Sequence, residues 1–194
     1  MSKISFENYG KLSESDQIET VVAGRYPIQR EAEKLIPLDI VKKLSLKPED
    51  TLMEIGCGTG NLLIPLCFFV NEATGIDHPN AIERLKKRFN SKDLTLIPGN
   101  FFDLKINKQF SKILIYSVLL CLSDENEVID FIQKALDLLS PNGQMLLGDI
   151  PNKDLKRRFL SSGEGRSFQE EWAKKINTQE KLLFDIHVDP KTVD

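Results

Sequence analysis

Thr51-Leu-Met-Glu-Ile-Gly-Cys-Gly-Thr-Gly60 runs from an apolar strand into a glycine-rich turn, and Asn61 then opens a helical pattern. Glycine at 56, 58 and 60 permits positive φ angles and leaves no Cβ, so a ligand can press against the backbone there. Such a loop alone is weak evidence of a site. Two acids sharpen it: Glu54 stands two residues before the first glycine, and Asp77 closes the next strand. A carboxylate in that second position can accept both hydroxyls of a ribose in a nucleoside-binding sheet.

Outward from this loop, short β-branched or apolar runs alternate with amphipathic stretches, the pattern of repeated β-α units around a mostly parallel sheet. Strands are expected at Thr51–Ile55, Glu72–Ile76, Leu94–Ile97, Lys112–Val118 and Gln144–Asp149, with helices at Asn61–Val70, Ala81–Phe89 and Glu125–Leu139. In the last helix Val128, Ile129, Ile132, Ala135, Leu136 and Leu139 recur at three- and four-residue spacing, which marks a core stripe and not a cofactor box. Pro79 and Asn80 start one helix, Ser123 or Asp124 caps another, and Pro141-Asn142-Gly143 makes a turn before the fifth strand. Residues 1–50 are mostly polar, with helical periodicity over Gln29–Leu44 and a turn at Lys47-Pro48-Glu49-Asp50, and are expected to form a helical cap or lid. After Asp149 the pattern changes to helix from Pro151 to Lys175, broken by a loop at Ser161–Gly165, then one strand at Leu182–Val188. The whole is read as a single domain, 1–194, with its core at 51–150 and an incomplete C-terminal part at 151–194.

At 194 residues, 41% hydrophobic and 28% charged, the chain is long enough for one sizeable core and too short for two comfortable domains. A net charge of -3 gives no general drive towards a polyanion, which disfavours nucleic acid as a partner. The run Lys156-Arg157-Arg158 reads as a solvated helix face. Cys57, Cys67 and Cys121 are far apart and have only His78 and His187 to help them, so no metal is expected and the thiols read as reduced. The opening residues lack the apolar stretch of a signal peptide, and runs such as Leu62–Val70 fall far short of the roughly 20 residues that cross a bilayer. A cytoplasmic protein without a membrane partner is the expectation.

Charge narrows the ligand. The dinucleotide fingerprint G-x-G-x-x-G wants its third glycine at 61, which is Asn61, and it neutralises a pyrophosphate at the helix N-terminus. Here the glycines follow G-x-G-x-G, and an acid at 54 suits a ligand that carries an ammonium and a sulfonium, favouring S-adenosylmethionine over NAD. Leu52-Met-Glu-Ile-Gly-Cys-Gly-Thr-Gly-Asn-Leu62 resembles the first signature motif of class I S-adenosylmethionine-dependent methyltransferases, a resemblance that covers about residues 35–150. It implies a Rossmann-like α/β sheet with helices on both faces. It also implies that Gly56, Gly58 and Gly60, with Cys57 between them, approach the methionine part, that Glu54 fixes its amino group, and that Asp77 holds the ribose. His78 stands where the family packs a residue on the adenine, a solvent-facing turn histidine being the alternative. Asn100 stands where the family usually has an acid for the adenine amino group, and an amide carbonyl can accept the same bond. Phe101 or Phe102 is a candidate to cover the ring, with core packing the alternative for one of the two.

Methyl transfer from a sulfonium is an in-line displacement, so the protein mainly orients the acceptor and excludes water, and a general base is optional. No residue is assigned as catalytic. The resemblance implies an acceptor pocket at the end of the fourth strand, where Tyr116 and Ser117 are the polar candidates; Tyr116 is counted with the cofactor site as well. No N-P-P-Y or D-P-P-Y occurs, which counts against DNA adenine and glutamine methylation, and Leu120 and Cys121 leave no histidine base in this loop. Tyr9, Tyr26, Gln29 and Arg30 are candidates to close over the cofactor, with Arg30 or Gln29 meeting its carboxylate; an ordinary polar helix face is the alternative.

The family sheet normally has seven strands, and this sequence has room for at most one of the last two. The fifth strand then exposes an edge unless the terminal segment or a second subunit covers it, so a homodimer is expected. The stretch from Gly148 to Phe159 weakly resembles bacterial methyltransferases linked to sugar or surface-glycan biosynthesis. The expected function is methyl transfer from S-adenosylmethionine to an oxygen, or less readily a nitrogen, of a small molecule or glycan. Protein or RNA methylation, and a non-catalytic binder that keeps the cofactor fold, are the alternatives.

Overall fold

A computed structural model of the chain describes residues 3–176, so the strand expected at Leu182–Val188 lies outside the described residues. The central strand β1 (Thr51–Ile55) is buried on both faces, as a parallel strand covered by helices must be. Side chains alternate along it: Leu52 enters one core, Met53 and Ile55 the other. With β2 (Glu72–Asp77), β3 (Leu94–Pro98), β4 (Phe110–Tyr116) and β5 (Leu139–Gly148) it makes an all-parallel sheet of order β3-β2-β1-β4-β5. Among the described residues β5 pairs only with β4 and forms an edge.

Both faces are covered. On one, α4 (Ile36–Lys43), α5 (Leu63–Leu66) and α6 (Pro79–Arg88) supply Ile40, Leu63, Leu66, Ile82 and Leu85 to a core with Leu52, Ala73 and Leu114. On the other, α7 (Glu125–Asp137) supplies Phe131 and Ala135 to a core with Met53, Ile55, Ile113 and Ile115. The Rossmann-like sheet expected from the sequence is therefore present.

Several boundaries differ for local reasons. The helix expected over Asn61–Val70 shrinks to α5 and a 3-10 turn at Cys67–Phe69, because Pro65 has no N–H to continue the ladder and Phe68 projects outward. Strand β4 stops at Tyr116 because Ser117 adopts φ 59, and β5 stops at Gly148 because Asp149 adopts φ 55. The expected turn at Pro141–Gly143 falls inside β5 as an irregularity, where pairing jumps from Phe110 with Leu139 to Lys112 with Gln144. The periodic stretch Gln29–Leu44 is broken into a 3-10 turn (Pro27–Gln29), α3 (Arg30–Glu33) and α4. Asp124, not Ser123, caps α7, accepting from the Glu127 N–H at 2.9 Å.

The chain divides into two compact units, Met1–Ile150 and Pro151–Asp194. The second contains α8 (Lys153–Ser161) and α9 (Gly163–Ile176), broken at Ser162, with Phe159 and Phe168 edge to face at 5.7 Å. No helix among the described residues is long and apolar enough to cross a membrane.

At the start of the first unit, α1 (Lys3–Ser13) packs on α6. Gly10 makes this approach close, since a Cβ there would lie 2.4 Å from the His78 ring. Beyond it, Arg84 of α6 gathers the turn that leads to α2 (Glu19–Val22). It donates to the carbonyls of Ser13 at 3.3 Å, Ser15, and Gln17 at 2.6 Å, and to Glu19 Oε1 at 2.9 Å. Replacing it by methionine should raise amide exchange across residues 13–19 by about tenfold or more, the scale of losing hydrogen bonds to a charged group, while β1 and β4 keep their protection. Unchanged exchange in that turn, read by mass spectrometry, would show that something else holds it.

Candidate functional site

Strand order reverses between β1 and β4, which opens a crevice at the carboxyl ends of the strands. A cleft of about 770 Å³ including its mouth lies there, walled by Glu54 of β1 with Gly56, Cys57 and Gly58 after it, Asp77 of β2, and Tyr116 of β4 with Ser117 after it. A smaller cavity of about 290 Å³, lined by Asn100, Phe101, Ile76 and Phe131, shares Phe6, Gly56, Asp77 and Val118 with it.

Glu54 decides the character of the cleft. Alternation along β1 sends it to the same side as Leu52, and it is only 2% exposed. Its Oε2 has no hydrogen-bond partner. A buried carboxylate without a partner is costly when charged, and the group responds by holding its proton. Burial, and then the nearby Asp77 charge, push its carboxyl up from the ordinary 4.5 to about 8. Asp77 is anchored instead: Oδ2 accepts from the Gly58 N–H at 2.6 Å and Oδ1 from the His78 N–H at 2.6 Å. These bonds lower its carboxyl, but burial is the larger effect and the net direction is upward.

Gly58 and Gly60 do different work. Gly58, at φ 53, faces open space where a Cβ would touch nothing. Gly60 was expected to approach the ligand, but at φ 90 its Cβ direction runs into Leu85 at 2.9 Å and Ile64 at 3.0 Å, and it lines neither cavity. It is there for packing.

His78 also lines neither cavity. Its Nδ1 accepts from the Asn80 N–H at 3.1 Å as the cap of α6, and its ring lies 4.8 Å from Phe6 beneath α1. It is thus neither stacked in the cavity nor turned to solvent; Phe6 is the aromatic that lines both spaces. Asn100 caps a short 3-10 turn, its Oδ1 accepting from the Phe102 N–H at 3.1 Å, so the amide nitrogen is the end left for another partner. Phe101 is both cavity wall and core, meeting Phe131 edge to face at 4.9 Å, while Phe102 meets the same ring at 5.4 Å.

Of the expected lid residues, Tyr9 lines the cleft. Tyr26 and Gln29 bond to each other, the Tyr26 N–H donating to Gln29 Oε1 at 2.8 Å, and Arg30 borders a separate outer groove with Leu38 and Phe69. The guanidinium that does reach the cleft is Arg25, for which the sequence offers no periodic signal. It donates to Ser117 Oγ at 2.8 Å and Asp149 Oδ2 at 3.1 Å, lies 3.7 Å from Glu33 Oε1, and sits 5.9 Å from the centre of the Tyr116 ring. Glu33, also unforeseen, accepts from Thr20 Oγ1 at 2.8 Å and Asn61 Nδ2 at 2.9 Å.

The family model described as nodulation protein S (NodS) matches residues 32–163. The chain belongs to the NodS family. Its fold is that of the class I S-adenosylmethionine-dependent methyltransferases. The crystal structure of N-methyltransferase NodS from Bradyrhizobium japonicum WM9, in complex with S-adenosyl-L-homocysteine, superposes with a TM-score of 0.59 at 20% identity, covering 74% of this chain and 71% of that one. The glycopeptide N-methyltransferase MtfA gives 0.51 at 18% identity, over 58% and 51% of the two chains. A malonyl-[acyl-carrier protein] O-methyltransferase of Priestia megaterium is 28% identical over 136 residues, 67% of this chain and 48% of its own length. The chain spans about half the length of the curated methyltransferases it matches, and 2% of a far longer peptide synthetase.

The NodS match takes in the glycine loop, Asp77 and both strand ends, and begins at Ala32, after Phe6, Tyr9, Glu19 and Arg25. The part of the cleft supplied by α1 and the loop at Arg25 therefore lies outside the matched residues.

The raised Glu54 carboxyl has a consequence for stability. Between about 4.5 and 8 the unfolded chain ionises this group while the folded protein keeps it protonated, so ligand-free stability falls as pH rises through that window and levels off above it. Denaturant midpoints followed from about pH 5 to 9 should show this slope, reduced in Glu54→Gln. An identical slope in the variant would show that Glu54 is ionised in the folded protein throughout.

Proposed function

We propose that this chain transfers a methyl group from S-adenosylmethionine to a nitrogen of a small amine, an amino sugar being the acceptor class that best fits. The buried Glu54 carboxyl with its unpaired Oε2 at the cleft is the observation that carries the donor in this reading. Such an oxygen is a ready acceptor for an ammonium, which a sulfonium amino acid carries and a pyrophosphate does not. Asp77 keeps acceptor capacity beyond its two backbone bonds, enough for ribose hydroxyls. The smaller cavity, apolar on Ile76, Phe101 and Val118 with Asn100 at its rim, suits a flat heteroaromatic ring. The open side of Gly58 leaves room for ligand atoms against the backbone.

When bound, S-adenosylmethionine supplies an electrophilic methyl on sulfur. The chain's own part is to neutralise, orient and exclude water. Oxygen was the acceptor expected from sequence; nitrogen fits the cleft better. Tyr9 is held protonated by burial and then by its neighbour Cys121, and the Cys121 thiol is itself raised by burial, so neither serves as a base near neutral pH. Among the described residues, no histidine or lysine lines the cleft. A hydroxyl therefore finds no histidine or lysine to take its proton, whereas an amine brings its own lone pair. Arg25 is flanked by two carboxylates, Asp149 and Glu33, so this end of the cleft carries surplus negative charge that suits an amine and repels a carboxylate acceptor. That NodS and MtfA are named N-methyltransferases agrees with this reading. The edge that β5 presents among the described residues keeps a homodimer as part of the proposal, testable by sedimentation.

Calorimetry should detect S-adenosylmethionine and not NAD, and binding of NAD alone would overturn the donor. Asp77→Ala should weaken donor binding by about 1–3 kcal/mol, the worth of hydrogen bonds to a charged group. Because an ammonium must meet an ionised Glu54, donor affinity should rise with pH towards about 8, with proton release below that point, and stop rising where the ligand's own amino group loses its proton. Label from radioactive methyl donor should pass to amino sugars and not to their N-acetylated counterparts; equal labelling of both would restore oxygen.

A further inference from the structure

Arg25 is the only cation lining the cleft among the described residues, and it is already engaged. Its Nη2 donates to Ser117 Oγ at 2.8 Å and to Asp149 Oδ2 at 3.2 Å, and Ser117 Oγ donates to the same Asp149 oxygen at 2.5 Å. On its other side Glu33 Oε1 lies 3.7 Å from Nε. One guanidinium thus faces two carboxylates of different standing. Glu33 is held inside by Thr20 and Asn61, with its side chain 10% exposed. Asp149 stands at the end of β5 with its side chain 44% exposed and has only Arg25 and Ser117. Asp149 is the partner that Arg25 can leave. Glu54, unpaired in the same cleft, marks this as a space built to receive a charged ligand.

An amino-acid ligand whose ammonium meets Glu54 also brings a carboxylate, and Arg25 is the one group on the lining able to answer it bidentately. We propose that Arg25 is an exchangeable counter-ion that orders binding: it leaves Asp149 for the donor's carboxylate, and the Asp149–Ser117 pair so released takes the acceptor's ammonium. Donor then precedes acceptor, because in the empty cleft the acceptor's anchor is masked by Arg25. Asp149 acts here as a specificity-determining residue and Arg25 as a positioning one. The acceptor amine gives its proton to solvent at the exposed mouth before its lone pair forms the N–C bond and the S–C pair stays on sulfur.

The inference rests on the donor reading above, and the two can fail separately. S-adenosylhomocysteine and its decarboxylated analogue, titrated calorimetrically into the whole protein, are the probes. Asp149→Asn keeps a residue that tolerates the left-handed backbone at 149, so the variant is expected to fold, and its melting curve checks this. With Arg25 no longer held by the charge of Asp149, S-adenosylhomocysteine should bind about threefold tighter or more, since apparent affinity scales with the fraction of Arg25 free. The decarboxylated analogue should bind both proteins within about twofold, and Arg25→Met should cost S-adenosylhomocysteine about tenfold and the analogue little. If S-adenosylhomocysteine binds the wild type but Asp149→Asn leaves its affinity unchanged or weaker, the exchange is wrong and the donor reading stands. If neither probe binds the wild type, the donor reading falls and takes the exchange with it.

Discussion

The cleft of the first unit is built on a carboxyl group buried near the end of its central strand. An aliphatic residue at 54 would extend the Leu52 core without electrostatic cost, and the neighbours on paired strands, Gly75 and Leu114, are apolar. The chain instead keeps an acid whose second oxygen meets nothing and whose proton is held by desolvation. Burying an unsatisfied polar group destabilises a fold by roughly 1–3 kcal/mol. The folded state is therefore incomplete at this point in a way that a cationic ligand would complete.

The second constraint is that the glycine loop is not free at its far end. Asn61 donates to Glu33 Oε1 at 2.9 Å and to the Glu19 carbonyl at 3.0 Å, and it accepts from Arg88 at 2.9 Å. Thr59 donates to Glu19 Oε2 at 2.5 Å, and Arg88 reaches the Thr59 carbonyl as well. A loop read from the sequence as a ligand cradle is thus also the anchor of the leading segment. Through Glu33 this anchor touches Arg25, so the two ends of the cleft share one polar chain.

What the sequence discloses follows from the range over which each signal acts. Strand β1, the loop and Asp77 could be read because alternation and glycine spacing are local; four of the five strands lie within about two residues of their expected bounds for the same reason, while β5 begins at Leu139, ahead of the expected Gln144. The helix after the loop was overdrawn: an apolar run looks helical, but Pro65, a local signal, interrupts it, and the outward turn of Phe68 is a tertiary fact. His78 and Gly60 were assigned by motif position; their roles are set by Gly10, Phe6 and Leu85, residues far away in the chain. Arg25, Glu33 and Asp149 left no trace, since 124 positions separate Arg25 from Asp149 and no period links them.

Charge balance ties these parts together. The cleft lining carries the carboxyl groups of Glu33, Glu54 and Asp77 against the single guanidinium of Arg25. With the cleft empty, proton retention at Glu54 and the Arg25 ion pairs keep that imbalance small. A ligand with net negative charge would deepen it, and one with a lone positive charge would leave Arg25 facing Asp149 unaltered. A ligand that is cationic overall but carries one carboxylate can engage both signs at once: its ammonium lets Glu54 ionise, and its carboxylate gives Arg25 an alternative to Asp149. The pairing of an orphan acid with an over-subscribed arginine is the feature that would select such a ligand. The same arithmetic leaves a carboxylate uncovered at the mouth, where the second reactant must enter.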